Sequence, residues 1–129
     1  MKLFLDTNVL IAALTDDTAG SDAARALLNA NHEFYISVFT LMELRSVLAK
    51  KFQFQRSTIE SVEQQIRDQT QLTPRGEGIV DDANVLQSQT LLYPMDALML
   101  AAAQWANATL VTFDSELLEH EAVTPVDVL

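Results

Sequence analysis

The stretch Lys2-Leu3-Phe4-Leu5-Asp6-Thr7-Asn8-Val9-Leu10 opens the chain and decides its class. KLFL is an apolar run of strand length that stops at an acid, and the apolar run Val9–Leu14 beyond Asp6 predicts a helix. A short buried strand, a polar break and a helix make the start of a β–α unit. The same figure recurs near the other end, where Thr109–Phe113 (TLVTF) predicts a buried strand that ends at Asp114. Between these lie a strand at Glu33–Val38 and a helix at Thr40–Lys51 with Leu41, Leu44, Val47 and Leu48 on one face. Ala24, Leu27 and Leu28 mark a helix after Ser21-Asp22, and Ser57–Thr70 predicts a solvent-facing helical arm. Leu72–Pro74 predicts a short strand, Arg75–Gly78 a turn and Asp82–Thr90 a helix. Pro94 opens a densely apolar helix over Met95–Ala106, and Ala122–Thr124 predicts an edge strand. Strands that alternate with helices predict an α/β domain with a mostly parallel sheet.

The chain has 129 residues, which bounds it to one compact domain over 1–129. Its formal net charge is −10, from 18 acids against 8 bases, yet 49% hydrophobic residues suffice for a core. Cys is absent, which excludes disulfide and thiolate chemistry. No apolar run approaches the ~20 residues of a membrane span, and no signal peptide opens the chain, so a cytoplasmic protein is expected. His32 and His120 lie far apart, which argues against a His-rich zinc site. Any metal is therefore expected on carboxylates. The charge is uneven: residues 45–75 carry six bases against three acids, and residues 76–129 carry nine acids and no base. Arg45, Lys50, Lys51 and Arg56 are the expected contacts for a polyanion, weighed evenly against an ordinary solvated face.

Four carboxylates stand out, and each has a structural explanation when taken alone. Asp6 and Asp114 follow strands and suit helix N-caps. Asp96 sits in a first helical turn, where the macrodipole favours its charge. Thr40-Leu41-Met42-Glu43 spells a capping box. Together they point elsewhere, because ligands of parallel α/β sheets bind at the carboxyl ends of the strands. Glu43 is flanked by Phe39, Leu41, Met42, Leu44 and Val47, and Asp96 has Met99 and Leu100 on its face. A carboxylate in apolar surroundings costs roughly several kcal/mol unless paired. Too few bases lie nearby, and a divalent cation with oxygen ligands is one solution.

Four strings in this order and spacing resemble the PIN-domain nucleases, of the VapC toxin type. They are Leu5-Asp6-Thr7-Asn8-Val9-Leu10, then Ser37-Val38-Phe39-Thr40-Leu41-Met42-Glu43-Leu44, then Pro94-Met95-Asp96-Ala97-Leu98-Met99-Leu100-Ala101-Ala102-Ala103, and Leu110-Val111-Thr112-Phe113-Asp114. The resemblance implies a three-layer α/β/α fold and a metal-dependent endoribonuclease. It implies an acidic quartet of Asp6, Glu43, Asp96 and Asp114, with Mg²⁺ or Mn²⁺ held chiefly by Asp6, Asp96 and Asp114. Thr112 would orient the Asp114 carboxylate and Asn8 would support the site. A homodimer and a cognate antitoxin are the implied partners besides the RNA substrate. No His stands near any motif, so attack by a 2′-OH lacks an acid–base pair. Metal-assisted hydrolysis, leaving a 5′-phosphate and a 3′-OH, is the expected chemistry.

The competing class is a non-catalytic PIN-like RNA-binding or scaffold protein, against which all four acids being present counts. A receiver domain needs a Lys near its last strand, and no Lys or Arg follows Arg75. The three glycines make no phosphate-cradling loop. Trp105 and Met99 are expected in the core; Phe52, Phe54 and Tyr93 could stack on bases or pack against a partner helix, and packing is the expectation.

Overall fold

The computed structural model describes residues 1–16, 19–73 and 76–129. The chain runs β1 (Lys2–Leu5), α1 (Thr7–Leu14), α2 (Ser21–Leu28), β2 (Glu33–Ile36), α3 (Val38–Lys50) and α4 (Arg56–Gln69). It continues through β3 (Gln71–Leu72), α5 (Glu77–Thr90), α6 (Pro94–Trp105) and β4 (Thr109–Val111), then single 3-10 turns at Leu117–Glu119 and Pro125–Val128. The four strands form one sheet in the order β3-β2-β1-β4, with every pairing parallel. Phe4 lies opposite Tyr35 on one side and Leu110 on the other, so β1 is central. Val111 bridges in parallel to Val123, which is all that forms of the expected strand at Ala122–Thr124.

The sheet has two apolar faces because strand side chains alternate. Leu3 and Leu5 point into a cluster with Val9, Leu27, Leu44 and Leu48, which brings α1 to α4 onto one face. Phe4, between them, points the other way and packs with Ile79, Met99, Leu100 and Leu110 beneath α5 and α6. The result is a three-layer α/β/α sandwich. Phe4 is wholly buried, and burial of a side chain of that size stabilises by about 1.5–3 kcal/mol.

Local chemistry sets most boundaries. Ser37 and Thr40 form a reciprocal capping box, so α3 begins at Val38, not at Thr40, and Glu43 stands inside the helix. Thr40–Glu43 is therefore not the cap that the spelling suggested. The expected turn at Arg75–Gly78 is shorter: Gly76, at φ 150, caps α5 and helix begins at Glu77. Pro74 and Arg75 lie outside the described residues. Met99 is buried as expected, whereas Trp105 is half exposed at the end of α6 and donates its indole N–H to Asp82 at 2.7 Å.

The topology locates a crevice. From β1 the chain steps outward through β2 to β3, then α5 and α6 carry it across the other face to β4, on the far side of β1. The winding therefore reverses at β1, and the carboxyl ends of β1 and β4 flank the switch point where parallel sheets bind ligands.

Candidate metal centre

Asp6 occupies that switch point. It is the first residue after β1, N-caps α1 with an extended backbone, and is only 6% exposed. Its Oδ1 accepts the Thr7 N–H at 2.7 Å and its Oδ2 accepts the Thr112 hydroxyl at 2.7 Å. Thr112 is wholly buried and its Oγ1 also accepts from Asn8 Nδ2 at 3.2 Å and from the Asp114 backbone N–H at 3.0 Å. Asn8 completes the link by accepting the Phe113 N–H at 3.2 Å. The hydroxyl of Thr112 thus holds the carboxylate of Asp6, while it meets Asp114 through the main chain. This follows from strand adjacency: Leu5 pairs with Val111, so the residues just beyond them, Asp6 and Thr112, lie side by side.

Asp114 turns back on its own chain. Its Oδ1 accepts the N–H of Glu116 at 2.8 Å and of Leu117 at 3.4 Å, which fixes the turn into the 3-10 segment. Asp96 is the third residue of α6 and is half-buried. Glu43 is half-buried on the second turn of α3.

Electrostatics ties these groups together. Burial pushes the Asp6 carboxyl up from its ordinary value; the bonds from Thr112 and Thr7 oppose that, and the charges of Glu43 and Asp114 add to it. The Asp96 carboxyl is pushed up to about 6, first by burial and then by Asp114, Asp6, Glu43 and Glu116. The other three predicted acids therefore all bear on Asp96, and Glu43 and Asp114 bear on Asp6. Glu116 is a fifth acid in the same field that motif reasoning missed; its only sequence signal is the spacing Asp114-Ser115-Glu116.

The bases lie elsewhere. Arg45 approaches Glu63 on α4 at 2.7 Å, and Arg56 binds Glu60 one turn along α4 at 3.0 Å. Lys50 and Lys51 end α3, about 10 Å along its axis from Glu43, where cations suit the helix C-terminus. Lys51 also lies 5.2 Å from the centre of the Phe52 ring. Among the described residues no ion pair includes Asp6, Glu43, Asp96 or Asp114; the remaining pairs join Arg25 to Asp16 and Asp22.

An oxygen-only donor set with mutual repulsion and no paired base fits a hard divalent cation. Among the described residues, however, no three acidic or histidine side chains are drawn together as a ready-made cage. The carboxylates meet through their fields rather than by sharing one point, and Asp6 is the member whose direction is already locked.

The sequence model described as PIN domain matches residues 3–122. A comparison with curated proteins gives no match. Among solved structures, a toxin-antitoxin complex from Klebsiella pneumoniae is 26% identical, with 95% of this chain and 97% of that one covered and a TM-score of 0.73. VapBC2 from Rickettsia felis, bound to a DNA fragment from its promoter, is 19% identical over 96% of this chain and 97% of that one, with a TM-score of 0.71. VapBC-1 from nontypeable Haemophilus influenzae is 19% identical over 98% and 99%, with a TM-score of 0.67. The match spans nearly the whole sheet and both helical layers, and on it the chain belongs to the PIN domain family.

Proposed function

We propose that this chain, as one nuclease domain over residues 1–129, is the toxin of a VapC-type pair and hydrolyses RNA phosphodiester bonds with Mg²⁺ or Mn²⁺. The observation that carries the proposal is the placing of Asp6 and Asp114 just beyond the carboxyl ends of β1 and β4, with Asp96 lifted by burial and by the charges of Asp114, Asp6, Glu43 and Glu116, while among the described residues no ion pair includes the four predicted acids. Such a cluster opposes its own ionisation and gains from a cation. Asp6, Asp96 and Asp114 would hold the ion, with Glu43 completing the acidic quartet. A bound divalent cation supplies Lewis-acid neutralisation of the phosphodiester and makes water a stronger nucleophile at neutral pH.

The chain's own residues do the positioning. Thr7 and Thr112 hold both Asp6 oxygens by hydrogen bonds, and Asn8 anchors Thr112. Asp114 is held by the turn it caps. Arg45, Lys50, Lys51 and Arg56 are proposed contacts for the RNA backbone away from the bond that breaks. A cognate antitoxin is the proposed inhibitor, supported by the toxin–antitoxin complexes among the structural relatives. A homodimer in the cytoplasm is the proposed working form; no helix among the described residues is long and apolar enough to cross a membrane.

The test is incubation of a labelled single-stranded RNA with the purified protein in Mg²⁺, in Mn²⁺ and in EDTA. Cleavage in either metal and none in EDTA supports the nuclease. Binding without cleavage in both metals would leave the non-catalytic RNA-binding reading in its place.

A further inference from the structure

Tyr93, which the sequence leaves between stacking on a base and packing on a partner helix, is 71% exposed and stands at the N-cap of α6, where a Tyr side chain supplies no cap. Phe52 and Phe54 behave differently: both pack against the core beneath α1 to α4, with their rings 6.3 Å apart edge to face. Trp105, the other exposed aromatic, is committed to Asp82 and lies against Gly78. No hydrogen bond or ring contact holds the Tyr93 side chain among the described residues.

Its root, in contrast, is fixed. Leu91 takes a left-handed conformation at φ 62, uncommon for a residue of its kind, and lies 85% exposed. Leu92 is then buried in the core, its N–H on the Thr90 hydroxyl at 3.3 Å. The Tyr93 carbonyl accepts the Ala97 N–H at 3.0 Å, and Pro94 restricts the backbone that follows. The left-handed Leu91 ends α5 as its C-cap, its N–H on the Gln87 carbonyl at 3.1 Å, so the connection is pinned while the Tyr93 ring stays exposed. Tyr93 stands three residues before Asp96, at the same N-terminal end of α6.

We infer that Tyr93 is a stacking platform for a base of single-stranded RNA next to the bond that breaks. This rests on the nuclease proposal, since it is the acids that place the bond beside Asp96. A Tyr side chain has only two rotatable bonds to fix when it stacks, and its hydroxyl can stay in water. Stacking does not discriminate strongly among bases, so Tyr93 sets affinity and the position of the cut more than sequence preference.

The experiment compares the full chain with Tyr93→Ala and Tyr93→Phe. A short oligoribonucleotide carrying a single 2-aminopurine reports stacking by fluorescence quenching, and cleavage kinetics give KM and kcat. The expected result is that Tyr93→Ala raises KM about tenfold or more, the measure of one lost base–aromatic stack, and abolishes the quenching. Tyr93→Phe should restore both. The melting shift caused by Mg²⁺ alone should be the same in all three proteins, because the acids are untouched. Wild-type binding and quenching in Tyr93→Ala would overturn the platform and leave the nuclease standing. Loss of a dimer in Tyr93→Ala, read by light scattering, with KM unchanged would make the residue a self-association contact instead. Failure of the wild type to bind RNA at all would remove the nuclease reading and the platform with it.

Discussion

Asp96→Asn should make the metal-free protein more stable while destroying its response to metal. The Asp96 carboxyl is pushed up to about 6 from an ordinary 3.8, so in the folded chain its ionised form is penalised. Taken at full strength the difference is worth about 3 kcal/mol. The side chain is only half-buried, and solvent screening reduces the expected figure to about 1 kcal/mol. The sign follows from proton linkage: between 3.8 and about 6 the folded chain holds more proton than the unfolded one. Stability therefore falls as pH rises through that window, and the whole penalty is present above it. Asn removes the charge and keeps the shape. For a chain of this size, about 1 kcal/mol corresponds to a gain of about 3–5 °C in Tm. The assay is thermal unfolding by circular dichroism in EDTA at about pH 7.5, 6 and 4, for both proteins. The variant should melt higher at the top of the range and the two should converge at the bottom. Excess Mg²⁺ should raise the wild-type Tm by mass action and move the variant much less. A lower Tm for Asp96→Asn in EDTA at neutral pH, or a difference that does not change with pH, would mean that the Asp96 charge is not penalised in the folded chain.

Thr112→Val should leave one Asp6 oxygen without its donor and strand Asn8 Nδ2 and the Asp114 N–H, a cost of about 1–3 kcal/mol in unfolding by denaturant. Thr112→Ser should recover most of that stability and of RNA cleavage. Gly78→Ala would place a Cβ 2.6 Å from the Trp105 ring, so the ring must shift. Trp105 is the sole Trp, and its emission should move to the red as stability falls by about 1–3 kcal/mol. Arg45→Ala should destabilise the α3–α4 contact, because Glu63, whose side chain is 13% exposed, would lose its positive partner; an unchanged urea midpoint would count against that.

The fold was legible where the physics is local. KLFL and TLVTF are short apolar runs ended by acids, and they are the two paired strands β1 and β4. The stripe of Leu41, Leu44 and Leu48 is the buried face of α3. Boundaries failed where two local signals competed: Ser37 and Thr40 each suit an N-cap, and the choice fell to Ser37 because its hydroxyl meets the Thr40 N–H. Position along the chain named the acids but not their partners. The bond from Thr112 to Asp6 spans 106 residues and exists because β4 docks beside β1, which no periodicity encodes. Glu116 escaped for the same reason, since its weight comes from what stands beside it in space. Trp105 is exposed as the last residue of α6, where its indole reaches Asp82 on α5, a partner beyond reach of a helical stripe.

For a carboxylate-held cation at Asp6 acting on RNA, the decisive experiment is end-group analysis of RNA treated with the wild type and with Asp6→Asn, each shown folded by circular dichroism. The wild type should give 5′-phosphate and 3′-hydroxyl ends only when Mg²⁺ or Mn²⁺ is present, and the folded variant should give no product. Cyclic 2′,3′-phosphate ends formed in EDTA, or undiminished cleavage by folded Asp6→Asn, would contradict that role for the cation.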